Sequence, residues 1–237
     1  MAQHILRKDL KKDQVRETFA QGAEAVLSHQ KLAIYVLAVL VVVAAGAFGW
    51  WTYTQRQAVQ ASSAFDNAMK TFQTPAGTPA VAGETVYPDN NQKFMAAAQQ
   101  FSDVASKYPR TRGGQLARYY QALSYERMDR DDEAKKLLRT VESGGGEEAG
   151  VLARFELAQV DDRTGQGDEA VKLYQELIAK PSILTPKPVV MLALAAHYSR
   201  INPSEAAKLY SQIKSEYPDT PVAEQADQAL ALLPGKS

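Results

Sequence analysis

The sequence predicts an all-α protein, with a single transmembrane helix followed by an α-solenoid of about four helix-turn-helix units. Three observations carry that reading. An uncharged apolar run lies near the amino end, and beyond it a segment recurs about every 36 residues. The composition is dominated by alanine, leucine, glutamine and lysine, with β-branched residues concentrated in the apolar run, which suits helices throughout. At 237 residues the chain has room for one anchor and one soluble domain with its own core. Lys plus Arg and Asp plus Glu are equal at 27 each, so no basic field exists to hold nucleic acid. Cysteine is absent, which removes disulfides, thiolate nucleophiles and cysteine metal sites together.

The apolar run sets the first elements. Residues 32–55 carry no formal charge. A span over residues 32–53, roughly 22 residues at about 1.5 Å each, reaches about 33 Å, enough for a hydrocarbon core of about 30 Å. Trp50, Trp51 and Tyr53 fall at its far end and Tyr35 at its near end, where amphipathic rings suit the membrane interface. Arg7, Lys8, Lys11, Lys12, Arg16 and Lys31 precede the span, whereas Arg56 is the lone base in the first dozen residues after it. That asymmetry keeps residues 1–31 in the cytoplasm and puts the chain beyond the span in the periplasm. A cleavable signal peptide ending near Ala45-Gly46-Ala47 is the rival. The lead of Asp9, Asp13, Glu17 and Glu24 argues against it. Within the tail Val15, Phe19, Ala23 and Val26 recur every three or four residues, predicting a short amphipathic helix over residues 13–29.

Residues 54–92 form a juxtamembrane helix and a connection containing Pro75, Pro79 and Pro88. Ala58, Ala61, Ala64, Phe65, Ala68, Met69 and Phe72 make an apolar stripe on that helix, which the repeats are expected to cover. The repeats occupy residues 93–233, and residues 234–237 are a tail. Residues 133–138 read EAKKLL, 169–174 EAVKLY and 205–210 EAAKLY, while 101–111 read FSDVASKYPRT and 210–220 YSQIKSEYPDT. This period is close to the roughly 34 residues of the tetratricopeptide repeat, in which paired helices meet through small residues. Ala97, Ala134, Ala170 and Ala206 take the close-contact place of the second helix, and Ala122 and Ala158 that of the first. Phe101, Leu138, Tyr174 and Tyr210, four residues later, are expected in the core. Pro109 and Pro218 come just after helix ends that they cannot continue.

No motif for catalysis appears. His4, His29 and His197 are far apart, and the triple glycine at 144–146 opens onto Glu147-Glu148, which would repel a phosphate. Asp129, Asp131, Asp132, Glu133 and Asp161-Asp162 read as solvated helix caps and not as a calcium loop. The expectation is therefore no enzyme, no cofactor, no metal and no small-molecule substrate. What remains is the groove made by stacked first helices. Tyr119 and Phe155 hold equivalent places in successive units, with Met191 in the third, either facing that groove or lying in the core. Glu126, Arg127, Asp162 and Arg163 lie near the open end of the same helices.

The layout resembles the ancillary subunit family of the bacterial SecYEG translocon. The matching features are DQVRETF at residues 13–19, Gly49-Trp50 at the outer end of the span, and QASSAFDNAM at residues 60–69. The YP-x-T endings also look like those of periplasmic coordinators of outer-membrane assembly and of the Tol-Pal system. What the resemblance implies is a single-pass inner-membrane protein beside the translocon. Its suspected partners are SecYEG, emerging envelope proteins and periplasmic chaperones, with the lipid bilayer held by residues 32–53.

Overall fold

A computed structural model of the protein describes residues 30–77 and 86–234. Among the described residues there are nine α-helices and no strands. The expected helix over residues 13–29, His4, His29, Pro79 and residues 235–237 lie outside the described residues. The chain divides into two units, Met1–Arg56 and Gln57–Ser237.

The first unit holds the leading part of α1 (Gln30–Gln73). All residues of 32–51 are exposed, with Leu40 at 59% and Val42 at 71%. An 18-residue window here reaches a mean hydropathy of 2.6, so α1 is long and apolar enough to cross a membrane. The hydroxyls of Thr52 and Thr54 donate back to the carbonyls of Gly49 and Trp51, at 2.9 and 2.8 Å, and so are satisfied within the helix itself.

The second unit begins at Gln57 and is a helical stack. The rest of α1 packs on α2 (Asn90–Lys107), followed by α3 (Arg112–Glu126) with α4 (Asp131–Gly144). Next come α5 (Gly146–Arg163) with α6 (Gly167–Ala179), α7 (Lys187–Ile201) with α8 (Pro203–Glu216), and a closing α9 (Pro221–Ala231). Each helix from α2 onward packs on its successor. The contact points are the expected small residues: Ala97, Ala122, Ala134, Ala158, Ala170 and Ala206 are all fully buried. Phe101, Leu138, Tyr174 and Tyr210 fill the spaces beside them and are at most 3% exposed.

Residues 57–73 of α1 supply the first helix of the first pair. Ala61 and Ala68 are fully buried, and Phe65 and Phe72 pack against Phe101 and Tyr120 in an aromatic cluster with centroids 5.5–6.1 Å apart. The approach is close, since a Cβ on Gly113 would lie 3.1 Å from the Ala61 carbonyl. The apolar stripe is thus covered by α2 and α3, except for Ala58, which is exposed.

The YP-x-T segments act as clasps between helices. Tyr108 closes α2 by donating its N–H to the Val104 carbonyl. Two residues past the proline that bars continuation, the Thr111 hydroxyl donates to the Tyr108 carbonyl at 2.9 Å and accepts from Gly114 N–H at 3.0 Å. Thr220 repeats the arrangement with Tyr217 and Ala223 at 2.8 and 3.2 Å. Gly165 leaves α5 with φ +84°, the left-handed turn that ends many helices, and Asp129 takes the same turn one period earlier at φ +57°.

Candidate protein-interaction surface

The stack has an inner row. Beyond contacts between sequential helices, α3 meets α5, α5 meets α7, and α7 meets α9. Helices that touch across a full unit lie on the inside of a curved stack, so these first helices line its concave side. Leu116, Tyr119 and Leu123 of α3 and Leu152 of α5 join one apolar cluster on this row. Phe155 of α5 is half-buried, its ring edge against Tyr174 at 6.2 Å.

Charged side chains finish the row at the carboxyl ends of the first helices. Arg163 Nη1 donates to Glu126 Oε1 at 3.1 Å and Nη2 to Asp131 Oδ1 at 2.8 Å. One unit further, Asp162 Oδ1 lies 2.5 Å from His197 Nδ1 and accepts from Arg200 Nη2 at 2.5 Å. Burial works against the ionised Asp162, yet hydrogen bonds from Arg200 and His197 hold its carboxyl below the usual carboxylate range. Beneath the row, Lys135 Nζ sits 2.9 Å from Asp161 Oδ1 without aligning as a hydrogen bond, so that buried oxygen keeps an ion contact and no hydrogen-bond partner. Arg163–Glu126, His197–Asp162 and Arg200–Asp162 are 35 to 38 residues apart, close to one period, so each of these pairs stitches a unit to the next.

Between the apolar and charged parts lies Glu156 of α5, a residue that sequence reasoning passed over. Burial, and after it the like charge of the neighbouring Glu126, push its carboxyl well above the usual carboxylate range. Burial, and after it the nearby Glu156 carboxyl, raise the Tyr119 phenol well above its usual range. The available signal was positional: Glu156 comes directly after Phe155 on the apolar side of its helix, where the preceding unit carries Tyr120.

The other candidates from the sequence divide between core and surface. Tyr119 is 7% exposed, Arg127 is exposed, and Met191 is 1% exposed and packs with Ala195, Tyr210 and Ile213. Tyr35, Trp50, Trp51 and Tyr53 are all exposed on the first unit, with Trp50 and Tyr53 at 6.4 Å between ring centroids. Among the described residues no group of three His, Asp or Glu side chains is placed to hold a metal ion.

A stack of paired helices with an apolar, ion-stitched inner row defines a helical-repeat scaffold of the protein-interaction class. A family model for the tetratricopeptide repeat-like domain matches residues 28–181. The chain belongs to that family. Two crystal structures of nearly identical TPR-like repeats from Podosopora anserina, described as kinesin light chain and differing by one substitution, share the fold. Each superposes with a TM-score of 0.55 at 18% identity, covering 73% of this chain and 84% of theirs. No curated protein matches the sequence.

Proposed function

We propose that the protein is a membrane-tethered periplasmic scaffold, an accessory of the Sec translocon that contacts emerging envelope proteins and periplasmic chaperones. The observation that carries the tether is a fully exposed apolar stretch over residues 32–51, which only a hydrocarbon surround would cover without cost. The basic excess before residue 32 supports a cytoplasmic amino end, and the sequence likeness over residues 13–19, 49–50 and 60–69 supports the translocon as partner. The stacked inner row supports binding of an extended or helical segment of another protein. Nothing in the row joins a nucleophile to a base or a metal, which favours recognition over turnover. The YP-x-T clasps favour one other reading, a scaffold in outer-membrane assembly, the Tol-Pal system or division.

The deciding experiment is photo-crosslinking in intact membranes from a probe at Phe155, with Lys172 on the exposed side of α6 as control, followed by mass spectrometry. Translocon subunits and periplasmic chaperones are expected from Phe155 and not from Lys172. Recovery of outer-membrane assembly or division proteins alone would overturn the translocon assignment in favour of the second reading.

A further inference from the structure

We propose that the turn between α6 and α7, residues 180–187, docks on the anionic surface of the bilayer that α1 crosses, with Ile183 and Leu184 entering the headgroup layer. The inference rests on the membrane tether proposed above and goes beyond it, since a tether does not require the stack to touch lipid. The turn reads KPSILTPK, and its tip is apolar and bare. Ile183 is 96% exposed, more than any large apolar side chain of residues 32–51, and Leu184 is 44% exposed. One exposed apolar side chain is ordinary on a protein surface, whereas an adjacent pair held outward on a rigid turn is a binding element.

The base of the turn is locked. Thr185 is 1% exposed, its N–H donates to Ser182 Oγ at 3.0 Å, and the two hydroxyls lie 3.0 Å apart. Ser182 N–H donates to the Thr185 carbonyl at 3.3 Å, and Pro181 and Pro186 fix φ on either side. The tip is thus presented ready-made, and few conformations are lost when it inserts.

The turn also lies at the end of the stack where the chain enters it. Gln57 opens this unit, and Gln60 of α1 accepts from the Tyr108 hydroxyl, at the α2–α3 turn, at 3.4 Å. Arg112 at the start of α3 donates to Glu148 at the start of α5, at 2.5 and 2.7 Å. The other ends of α5 and α7 meet through Asp162 and Arg200 at 2.5 Å, so α7 starts at the same end as α5, α3 and Gln57. The two ends differ in charge. At the far end the second helices open on Asp131, Asp132, Glu133, Asp168, Glu169 and Glu205. At the entry end α3 and α7 open on no acid, α9 opens on Glu224, and α5 opens on Glu147 and on Glu148, which Arg112 takes. Residues 179–191 hold Lys180 and Lys187 and no acid. Lys187 donates to Glu216 at 3.2 Å, a surface pair weak enough for a lipid phosphate to share. An apolar tip between two lysines suits the membrane interface, where the tip enters the headgroup layer and the ammonium groups meet phosphates.

The test is fluorescence quenching from within the lipid. The full chain, which has no cysteine of its own, receives one nitrobenzoxadiazole-labelled thiol at Ile183→Cys, at Leu40→Cys or at Asp168→Cys, an exposed site in the first turn of α6. Each protein is reconstituted in liposomes of phosphatidylethanolamine and phosphatidylglycerol, with and without a nitroxide-bearing lipid. The labels at 183 and 40 are expected to lose most of their emission to the nitroxide, and the label at 168 to keep it. Replacing phosphatidylglycerol by phosphatidylcholine is expected to restore emission at 183 and to leave 40 quenched. Quenching at 40 without quenching at 183, or quenching at 183 that ignores lipid charge, would overturn docking on an anionic surface while the tether stands. Quenching at neither position would overturn the tether and the docking together.

Discussion

The two parts of α1 share one backbone geometry and differ in everything their side chains meet. Residues 32–51 are apolar on every side and exposed on every side, whereas residues 57–73 alternate between buried Ala61, Ala68 and packed Phe65, Phe72 on one face and exposed Ser62, Ser63, Asp66 and Asn67 on the other. A helix that satisfies its own backbone groups can sit in either surround, so the side-chain pattern alone decides which surround stabilises it. The first pattern suits an apolar surround on every side, and α1 is long and apolar enough there to cross a membrane, whereas the second suits a protein core on one side and water on the other.

The largest expected difference is the response to charge. Leu40→Arg puts a cation at the centre of the apolar stretch, at a cost of about 2.5–3.5 kcal/mol of membrane insertion. The fraction of protein resisting alkaline extraction from membranes should fall sharply. Ser63→Arg, on the exposed face of the second part, should leave that fraction unchanged, because a surface substitution is worth within about 0.5 kcal/mol. Equal behaviour of the two variants would erase the distinction.

Added bulk gives the reverse contrast at a smaller scale. Ala61→Leu and Ala170→Leu each push three carbons into a fully buried contact, costing about 1–3 kcal/mol through displaced rotamers and backbone. Tm of the full chain in micelles, followed by circular dichroism, should drop by several degrees. Ala45→Leu adds the same atoms to an exposed site in the apolar stretch and should leave Tm where it was. Lys172→Leu, exposed on α6, is the control within the stack. A control at Gln166 would mislead, because its side chain accepts from Lys135 at 2.7 Å.

Much of this was legible in the sequence, and the reason is periodicity. A spacing of 36 residues between Ala134, Ala170 and Ala206 could only mean equivalent contacts, and all three are fully buried. The polar side of the groove was less legible. Glu126 and Arg163 were singled out separately, but their pairing across 37 residues depends on which turn of α5 faces which turn of α3. Hydrophobic pattern fixes the buried face and leaves that register open. Glu156 was hidden for a related reason, since a lone acid on a helix reads as solvated until the opposing carboxyl is known. Ala122, Ala158 and Ala195 are all fully buried, with 36 residues between the first two and 37 between the last two. In that register half-buried Leu192 takes the position equivalent to Tyr119 and Phe155, and Met191 lies in the core.

The smallest expected effect belongs to the ion pairs. Arg163→Ala removes bonds to Glu126 and Asp131, but the guanidinium is 47% exposed, so screening limits the loss to about 1 kcal/mol or less. A Tm shift clearly smaller than that of Ala61→Leu is expected. A larger one would mean that the stitching, and not the small-residue contacts, holds the units together.

The chain has no cysteine, so a single introduced thiol reports on one position without background. The central claim is that one helix serves two surrounds, and it is tested most directly by labelling Leu40→Cys and Ser63→Cys with a membrane-impermeant maleimide in cells whose outer membrane has been opened. The account predicts rapid labelling at position 63 and none at position 40 until the membrane is dissolved in detergent. Labelling of both positions alike in intact cells would contradict it.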